Sequence, residues 1–166
     1  MSFSTQVKNE LVKTEYERSC CKRALLYGLS LFGKSFSESS VSLQTENEPT
    51  ARLFQSLLKE IFNMDARVDV SPRGRNFTAS VSSKTDAQKL FRSFGHDGVG
   101  SLKIDHTNFR CEDCGKAFLA GVFLACGTLS DPKKDYHLEF SVPYYNLSKS
   151  LFTLLQEMEL SPKHTN

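Results

Sequence analysis

The stretch that decides the fold runs from Cys114 to Leu129 and reads Cys-Gly-Lys-Ala-Phe-Leu-Ala-Gly-Val-Phe-Leu-Ala-Cys-Gly-Thr-Leu. It is apolar nearly all round, which predicts a buried helix rather than one with a solvated face. Small residues at Ala120, Gly121 and Ala125 would let a second backbone come close. The sequence therefore predicts a central helix that packs tightly against a partner.

The same pattern occurs earlier, in residues 21–36, at a constant offset. Cys21 matches Cys114 and Gly28 matches Gly121, with no gap between them. Such a repeat predicts two similar half-domains related by an approximate two-fold axis. The two buried helices should then meet along Gly28 and Gly121. The alternative is two unrelated buried helices, each with its own packing glycine.

The rest of the chain fits a helix–hairpin–helix–hairpin–helix unit that is started twice. Ser4 or Thr5 is predicted to cap the first helix, and Asn47 the helix after the first hairpin. The glycine-rich loop 95–101 separates half-domains 1–97 and 98–166. The second unit stops before its second hairpin, so we expect a fragment of a longer protein or an abbreviated copy. The predicted helices are 4–16, 21–33, 48–62, 85–94, 114–126 and 146–159, and the predicted strands 34–45, 66–71, 76–82 and 136–142.

Composition excludes several classes of protein. The 166 residues carry a net charge of only +2, whereas a dedicated nucleic-acid module is often far more basic. No stretch resembles a signal peptide or a membrane span. The five cysteines are an odd number without a secretory signal, which predicts reduced thiols in a cytoplasmic protein.

Leu119–Gly127 resembles the motif of the LAGLIDADG homing endonucleases, and the chain as a whole resembles more closely the bacterial WhiA family, which is not a nuclease family. The resemblance implies an α+β pseudo-dimer of the αββαββα type with a truncated second repeat. It also implies a nucleoid-associated transcription regulator of sporulation or cell division. Its partners would be double-stranded DNA, bound mainly by a helix-turn-helix domain outside this chain, and a protein of the transcription machinery. The matching segments are Ser2–Leu11, Cys20–Ala24, Thr45–Asn47 and Ser130–Pro132.

The chain departs from the nucleases where their chemistry resides. Active LAGLIDADG enzymes carry a carboxylate at the eighth position of each motif, and the two carboxylates hold the divalent metal ions. The matching residues here are Gly33 and Cys126. Glycine has no ligand atom and a thiol is a poor ligand for Mg²⁺. We therefore expect no enzyme activity. Two alternative functions remain. One is a protein-interaction scaffold without DNA contact, and the less favoured one is a metal-dependent nuclease.

Basic residues on the predicted hairpins are the candidate DNA contacts. In LAGLIDADG proteins the hairpins form a saddle that lies in the major groove, and the resemblance implies phosphate contacts for Arg67, Arg73, Arg75, Lys133 and Lys134. The Lys pair is expected on the turn of the second half that corresponds to the arginine turn. Alternatively, these residues are ordinary solvated hairpin tips.

Four cysteines form the other candidate cluster. Cys111 and Cys114 form a CxxC, and Cys20-Cys21 stands at the matching start of the other repeat helix. If those helix starts converge, four thiolates could bind zinc; thiols at helix N-termini could also be redox-sensitive. Buried, inert thiols are the favoured interpretation, so no metal or cofactor is expected. The histidines are expected in loops or on the surface: His96, His106, His137 and His164.

Overall fold

The computed structural model describes residues 2–135 and 137–165. It contains the predicted helices and hairpins in the predicted order. A π-helical segment, Leu58–Phe62, continues the third helix, and a short 3₁₀ turn, His106–Asn108, precedes the fifth. The helices are α1 Phe3–Leu11, α2 Ser19–Leu31, α3 Glu48–Leu57, α4 Lys84–Ser93, α5 Cys114–Cys126 and α6 Tyr145–Glu157, and the strands β1 Ser35–Phe36, β2 Val41–Thr45, β3 Ala66–Val70, β4 Phe77–Val81, β5 Gly127–Leu129 and β6 Leu138–Phe140.

The repeat is visible in the order of elements: α2-β1-β2-α3 in the first half matches α5-β5-β6-α6 in the second. The first half adds the β3–β4 hairpin and forms a four-stranded antiparallel sheet in the order β1-β2-β4-β3. In the described part of the second half, β5 and β6 form a two-stranded sheet. The β5–β6 turn therefore matches the β1–β2 turn. The expectation that Lys133 and Lys134 correspond to the arginine turn is wrong.

Helices α2 and α5 pack against each other at the predicted glycines. A Cβ added at Gly28 would lie 2.9 Å from the Val122 nitrogen and 3.2 Å from the Gly121 carbonyl carbon, and closer still to the Phe118 carbonyl oxygen. A Cβ added at Gly121 would lie 3.2 Å from the Gly28 Cα. Only glycine allows this approach, because real Cβ atoms do not come so close to backbone. The prediction of two repeat helices meeting along Gly28 and Gly121 is confirmed.

The core fills the space around this helix pair and under the inner face of the large sheet. Its largest fully buried side chains, with less than 2% of their surface exposed, include Tyr27, Phe54, Phe94 and Phe118. Residues of both halves belong to one cluster, since α6 contributes Leu147 to it. Burial of this continuous apolar surface is the main stabilising term of the fold.

Three local predictions need correction. Helix α1 begins at Phe3, because the Ser2 hydroxyl, and not Ser4 or Thr5, accepts the Thr5 backbone N–H at 3.1 Å. The helix ends at Leu11, before the polar segment 13–18, which has no apolar stripe to bury. Strand β6 is shorter than predicted, and the predicted start of that strand at Tyr136 lies outside the described residues. The Asn47 cap is confirmed, with Oδ1 accepting the Thr50 N–H at 3.0 Å.

Candidate nucleic-acid interface

The outer face of the four-stranded sheet is lined by small hydroxyl side chains. The register places Ser35, Ser42, Ser80 and Arg67 in one row across all four strands. Strand alternation sends the neighbouring Leu43, Ala79 and Val68 to the inner face and the core. The result is a polar side and an apolar side of the sheet. Within the polar row Ser42 is only 7% exposed, and its hydroxyl lies 2.6 Å from that of Ser35.

A second outer row consists of Gln44, Thr78 and Asp69. Gln44 is exposed, so its amide is free to meet a ligand above the sheet. Asp69 forms an ion pair with Arg67, whose Nε lies 2.9 Å from the carboxylate. Of the five cation candidates, Arg67 is therefore neutralised on the surface. We call the two rows, residues 35, 42, 80, 67, 44, 78 and 69, the hydroxyl face.

Arg73 and Arg75 lie at one end of this face, in the turn between β3 and β4. The turn is built around Ser71, whose N–H donates to the Asn76 carbonyl at 2.9 Å and whose Oγ accepts the Asn76 N–H at 3.1 Å. Gly74 supplies the positive φ of 70° that the turn requires. Both arginine side chains are exposed, and neither forms an ion pair with a residue that the structure describes. Their charge is therefore available to an anion.

Lys133 and Lys134 are exposed on the β5–β6 turn. Asp131 organises this turn, because its carboxylate accepts the Lys133 N–H at 2.9 Å and its carbonyl accepts the Lys134 N–H at 3.0 Å. Neither ammonium group has an ion-pair partner within 2–135 or 137–165. The structure thus gives each half one hairpin turn with two free cations, at positions that the repeat does not relate.

Neither of the two degenerate motif positions, Gly33 and Cys126, carries a side-chain oxygen. At Gly33 a Cβ would lie 2.6 Å from the Ser42 carbonyl oxygen and 2.8 Å from the Leu29 carbonyl oxygen. Strand β2 thus occupies the space that a carboxylate would need. At Cys126 burial raises the pKa of the thiol to about 12, which keeps it protonated at neutral pH.

The contacts of helix α1 near Cys126 were not predicted from the sequence. Helix α1 packs here: Ser4 Oγ accepts the Leu129 N–H at 2.8 Å, and the Lys8 ammonium lies 5.6 Å from the centre of the Phe123 ring. Burial lowers the pKa of Lys8, and the nearby Cys126 opposes that shift. The i, i+4 spacing of Ser4 and Lys8 puts both on one helix face, which is the signal that could have indicated this contact.

Buried polar side chains join the loop 95–110 to α2, and these hydrogen bonds were also not predicted from the sequence. Arg23 donates to Asn108 Oδ1 at 2.6 Å and to the Ser93 carbonyl at 2.5 Å. The Tyr27 hydroxyl accepts the Asp105 N–H at 2.8 Å and lies 2.8 Å from His96 Nε2. His96 was predicted to lie in a loop or on the surface. It lies in the loop, but its ring is half-buried, and this burial lowers its pKa.

The four cysteines do converge. The Sγ atoms of Cys20, Cys21, Cys111 and Cys114 all lie within 4.8 Å of one another, and all four are free thiols. Cys21 and Cys114 are buried, whereas Cys20 and Cys111 are partly exposed, so the expectation of buried thiols fits two of the four. In the described part of the chain, this is the one group of three or more His, Cys, Asp or Glu side chains close enough to share a metal ion.

Solved structures with a similar fold define the class of protein. The full-length DUF199/WhiA of Thermatoga maritima matches with a TM-score of 0.68 at 18% identity, over 95% of this chain and 50% of that one. The N-terminal LAGLIDADG domain of DUF199/WhiA also matches at 0.68, with 17% identity, over 94% of this chain and 75% of that one. I-DmoI, solved in complex with DNA and Mn, matches at 0.53 with 17% identity, over 84% of this chain and 78% of that one. The chain thus has a LAGLIDADG homing-endonuclease-like fold.

Sequence comparison narrows the class to one family. A model of the WhiA LAGLIDADG-like domain matches residues 115–166. Proteins called probable cell division protein WhiA from Staphylococcus aureus USA300 and Staphylococcus carnosus TM300 are 30% and 32% identical over 99% of this chain. The chain is thus similar to WhiA proteins over nearly its whole length, and residues 115–166 match the LAGLIDADG-like domain of that family. It spans 55% of the length of these relatives. No helix within the described ranges is both long and apolar enough to cross a bilayer.

Proposed function

We propose that this chain is a non-catalytic, DNA-contacting domain of a WhiA-type regulator that acts in cell division and sporulation at the nucleoid. The observation that carries the proposal is the hydroxyl face with exposed, unpaired Arg73 and Arg75 at its end. Serine and threonine hydroxyls can accept from or donate to base edges, and Gln44 has the side chain that pairs with adenine in the major groove. A β-ribbon fits that groove.

The cations supply affinity without sequence information. Contacts from Arg73, Arg75, Lys133 and Lys134 to phosphates would release about four counterions, which gives a slope of about −3.6 for log K against log salt concentration. Arg67 would contribute less, because contact with a phosphate competes with its ion pair to Asp69. A helix-turn-helix domain elsewhere in the whole protein would supply most of the affinity.

We infer the absence of catalysis from the residues at the eighth position of the two motifs, Gly33 and Cys126. Hydrolysis of a phosphodiester needs metal ions that activate water and stabilise the leaving oxygen. With the β2 backbone against Gly33 and a protonated thiol at Cys126, neither motif offers an oxygen ligand of the kind that Mg²⁺ prefers. The domain would hold DNA and leave it intact.

One observation favours an interaction scaffold as the second candidate. Charged side chains at the strands contact each other: Arg67 Nε lies 2.9 Å from the Asp69 carboxylate, and His137 Nε2 lies 2.6 Å from the Glu139 carboxylate. Leu138 is also half exposed beside the latter pair. A protein partner, such as a component of the transcription machinery, would suit such a surface better than the phosphates of DNA.

The deciding experiment is fluorescence anisotropy with a labelled random duplex, titrated with salt. The double variant Arg73→Ala/Arg75→Ala should reduce the salt slope by about 1.8. The matched control Lys84→Ala/Lys89→Ala removes the same charge from α4, which packs against the inner face of the sheet, and should leave the slope nearly unchanged. If folded protein showed no measurable binding to the duplex at low salt, the interaction scaffold would remain as the favoured function. Cleavage of the duplex with Mg²⁺ or Mn²⁺ would contradict the absence of catalysis.

A further inference from the structure

The cysteine cluster, Cys20, Cys21, Cys111 and Cys114, has the dimensions of a single-ion site. The Sγ atoms of Cys21 and Cys111 are 3.5 Å apart, and those of Cys111 and Cys114 are 3.6 Å apart. Four sulfurs arranged tetrahedrally around zinc, with Zn–S bonds of about 2.3 Å, are separated by about 3.8 Å. A disulfide would instead need a separation of about 2.05 Å. Two of the six edges therefore match a ZnS₄ tetrahedron to within a few tenths of an ångström, and no edge is longer than 4.8 Å.

The fold holds these sulfurs together independently of any metal. Each repeat helix contributes from its N-terminal end, and the two helices are locked by the contact of Gly28 with Gly121. Each of these glycines lies seven residues, or about two helical turns, after its cysteine, Cys21 or Cys114. Each half of the chain thus contributes two ligands: Cys20 and Cys21 from α2, and Cys114 from α5 with Cys111 from the bend before it.

Hydrogen-bond donors and positively charged groups lie around the cluster. Arg18 donates a side-chain hydrogen bond to Cys111 Sγ, and the backbone N–H of Asp113 donates a second. Neither α2 nor α5 has a side-chain N-cap, so the partial positive charge of both helix starts is directed to this region. Lys22 and Arg110 line an open depression beside Cys20 together with Glu17 and Glu60, and the Lys22 ammonium lies 3.1 Å from the Glu60 carboxylate. A complex of four thiolates with a divalent ion has a net charge of −2, which Arg18 and Arg110 would offset in part.

We propose that Cys20, Cys21, Cys111 and Cys114 bind one zinc ion as a structural staple between the two halves of the domain. Thiolates select zinc over Mg²⁺, and four protein ligands close the coordination shell, so this is a structural and not a catalytic site. The partly exposed Cys20 and Cys111 give the ion access from the depression. The proposal is independent of DNA binding and of the degenerate motif ends.

The first test measures metal content. The full chain is purified under reducing conditions without a metal-affinity step, and metals are quantified by inductively coupled plasma mass spectrometry. We expect one zinc per chain, and the same in Cys126→Ser, a matched control that removes a thiol from the same helix outside the cluster. The variant Cys111→Ser/Cys114→Ser should lose the zinc. Zinc retained by that variant, or iron in place of zinc in the wild type, would overturn the proposal.

A second test uses wild-type protein, because Cys114 is buried and its variants could fold poorly. Cobalt(II) added to the metal-free, reduced chain should give the visible bands and thiolate charge-transfer absorption of a tetrahedral tetrathiolate site, and zinc should displace it. Free zinc at 100 times its dissociation constant should raise the Tm by about 5–10 °C. A folded, reduced chain that shows neither the cobalt spectrum nor the shift refutes the site. An intramolecular disulfide among these cysteines in freshly isolated protein would assign them to redox chemistry instead.

Discussion

Replacing Gly121 by alanine tests the contact on which the whole fold depends. The added Cβ would lie 3.1 Å from the Leu29 nitrogen and 3.2 Å from the Gly28 Cα, and closer still to the Leu25 carbonyl oxygen. Ordinary contacts of a Cβ begin at 3.4 Å. All three neighbours are backbone atoms of α2, which cannot rotate aside as a side chain would. The two helices must therefore move apart by at least several tenths of an ångström.

The size of the effect comes from two opposing terms. Helix propensity alone favours alanine over glycine by about 1 kcal/mol. Overpacking of a close-packed core costs about 1–3 kcal/mol, and we place this case at the upper end because the strain falls on backbone. The net loss for Gly121→Ala should be about 2 kcal/mol, which corresponds to a Tm lower by about 4–8 °C for a chain of this size.

The assay is urea and thermal unfolding followed by circular dichroism, with Gly115→Ala as the matched control. Gly115 belongs to the same helix, and a Cβ added there meets nothing within 4 Å. The control should therefore be neutral or stabilising by up to about 1 kcal/mol. If Gly121→Ala proved as stable as the wild type, or gained as much as the control, the close approach of α2 and α5 would be refuted.

Three further substitutions probe other parts of the fold and site. Gly33→Asp should destabilise the chain by about 2 kcal/mol, because its Cβ would meet the β2 backbone, and should give no Mg²⁺-dependent cleavage; a stable, cleaving variant would disprove the steric account. Asn47→Ala should lower the free energy of unfolding by about 1 kcal/mol, since the Thr50 N–H and hydroxyl both lose their acceptor; denaturant titration measures this, and an unchanged midpoint would speak against the cap. Burial lowers the pKa of His96 in the folded state, so the unfolded chain binds more protons as the pH falls through about 6.5. The stability that depends on neutral His96 is therefore present above about pH 6.5 and lost below it; His96→Gln should show a shallower decline between pH 7 and 5, and equal slopes would refute this coupling.

The periodic and repeated parts of the chain were predictable because their signals are local or self-reinforcing. The repeat aligned Gly28 with Gly121, and Asn47 stood at a typical helix start. Apolar and polar residues alternated on both sides of the turn Pro72–Arg75, which indicated the β3–β4 hairpin. In each case a short-range pattern and the long-range packing point to the same structure. The WhiA resemblance added the fold to which these elements belong.

The polar contacts between distant segments could not be predicted in the same way. Lys8 lies over the Phe123 ring, and the Tyr27 hydroxyl contacts His96, across large separations in sequence that no periodicity encodes. The pairing of Arg67 with Asp69 depends on rotamers as well as on strand alternation. The cysteine cluster was predictable only in part. The repeat placed its members at matching helix starts, but only the packing of the helices shows that those starts converge.

The most direct test of the central claim, that the hydroxyl face contacts DNA, is site-specific photocrosslinking to a duplex. The photoreactive amino acid p-benzoylphenylalanine replaces Gln44 on the hydroxyl face or, as a matched control, Gln88, which is exposed on α4. DNA crosslinks from position 44 and none from position 88 are the result that the proposed DNA contact predicts. Equal crosslinking from both positions, or from 88 alone, would contradict it and would show that DNA is not bound by the sheet.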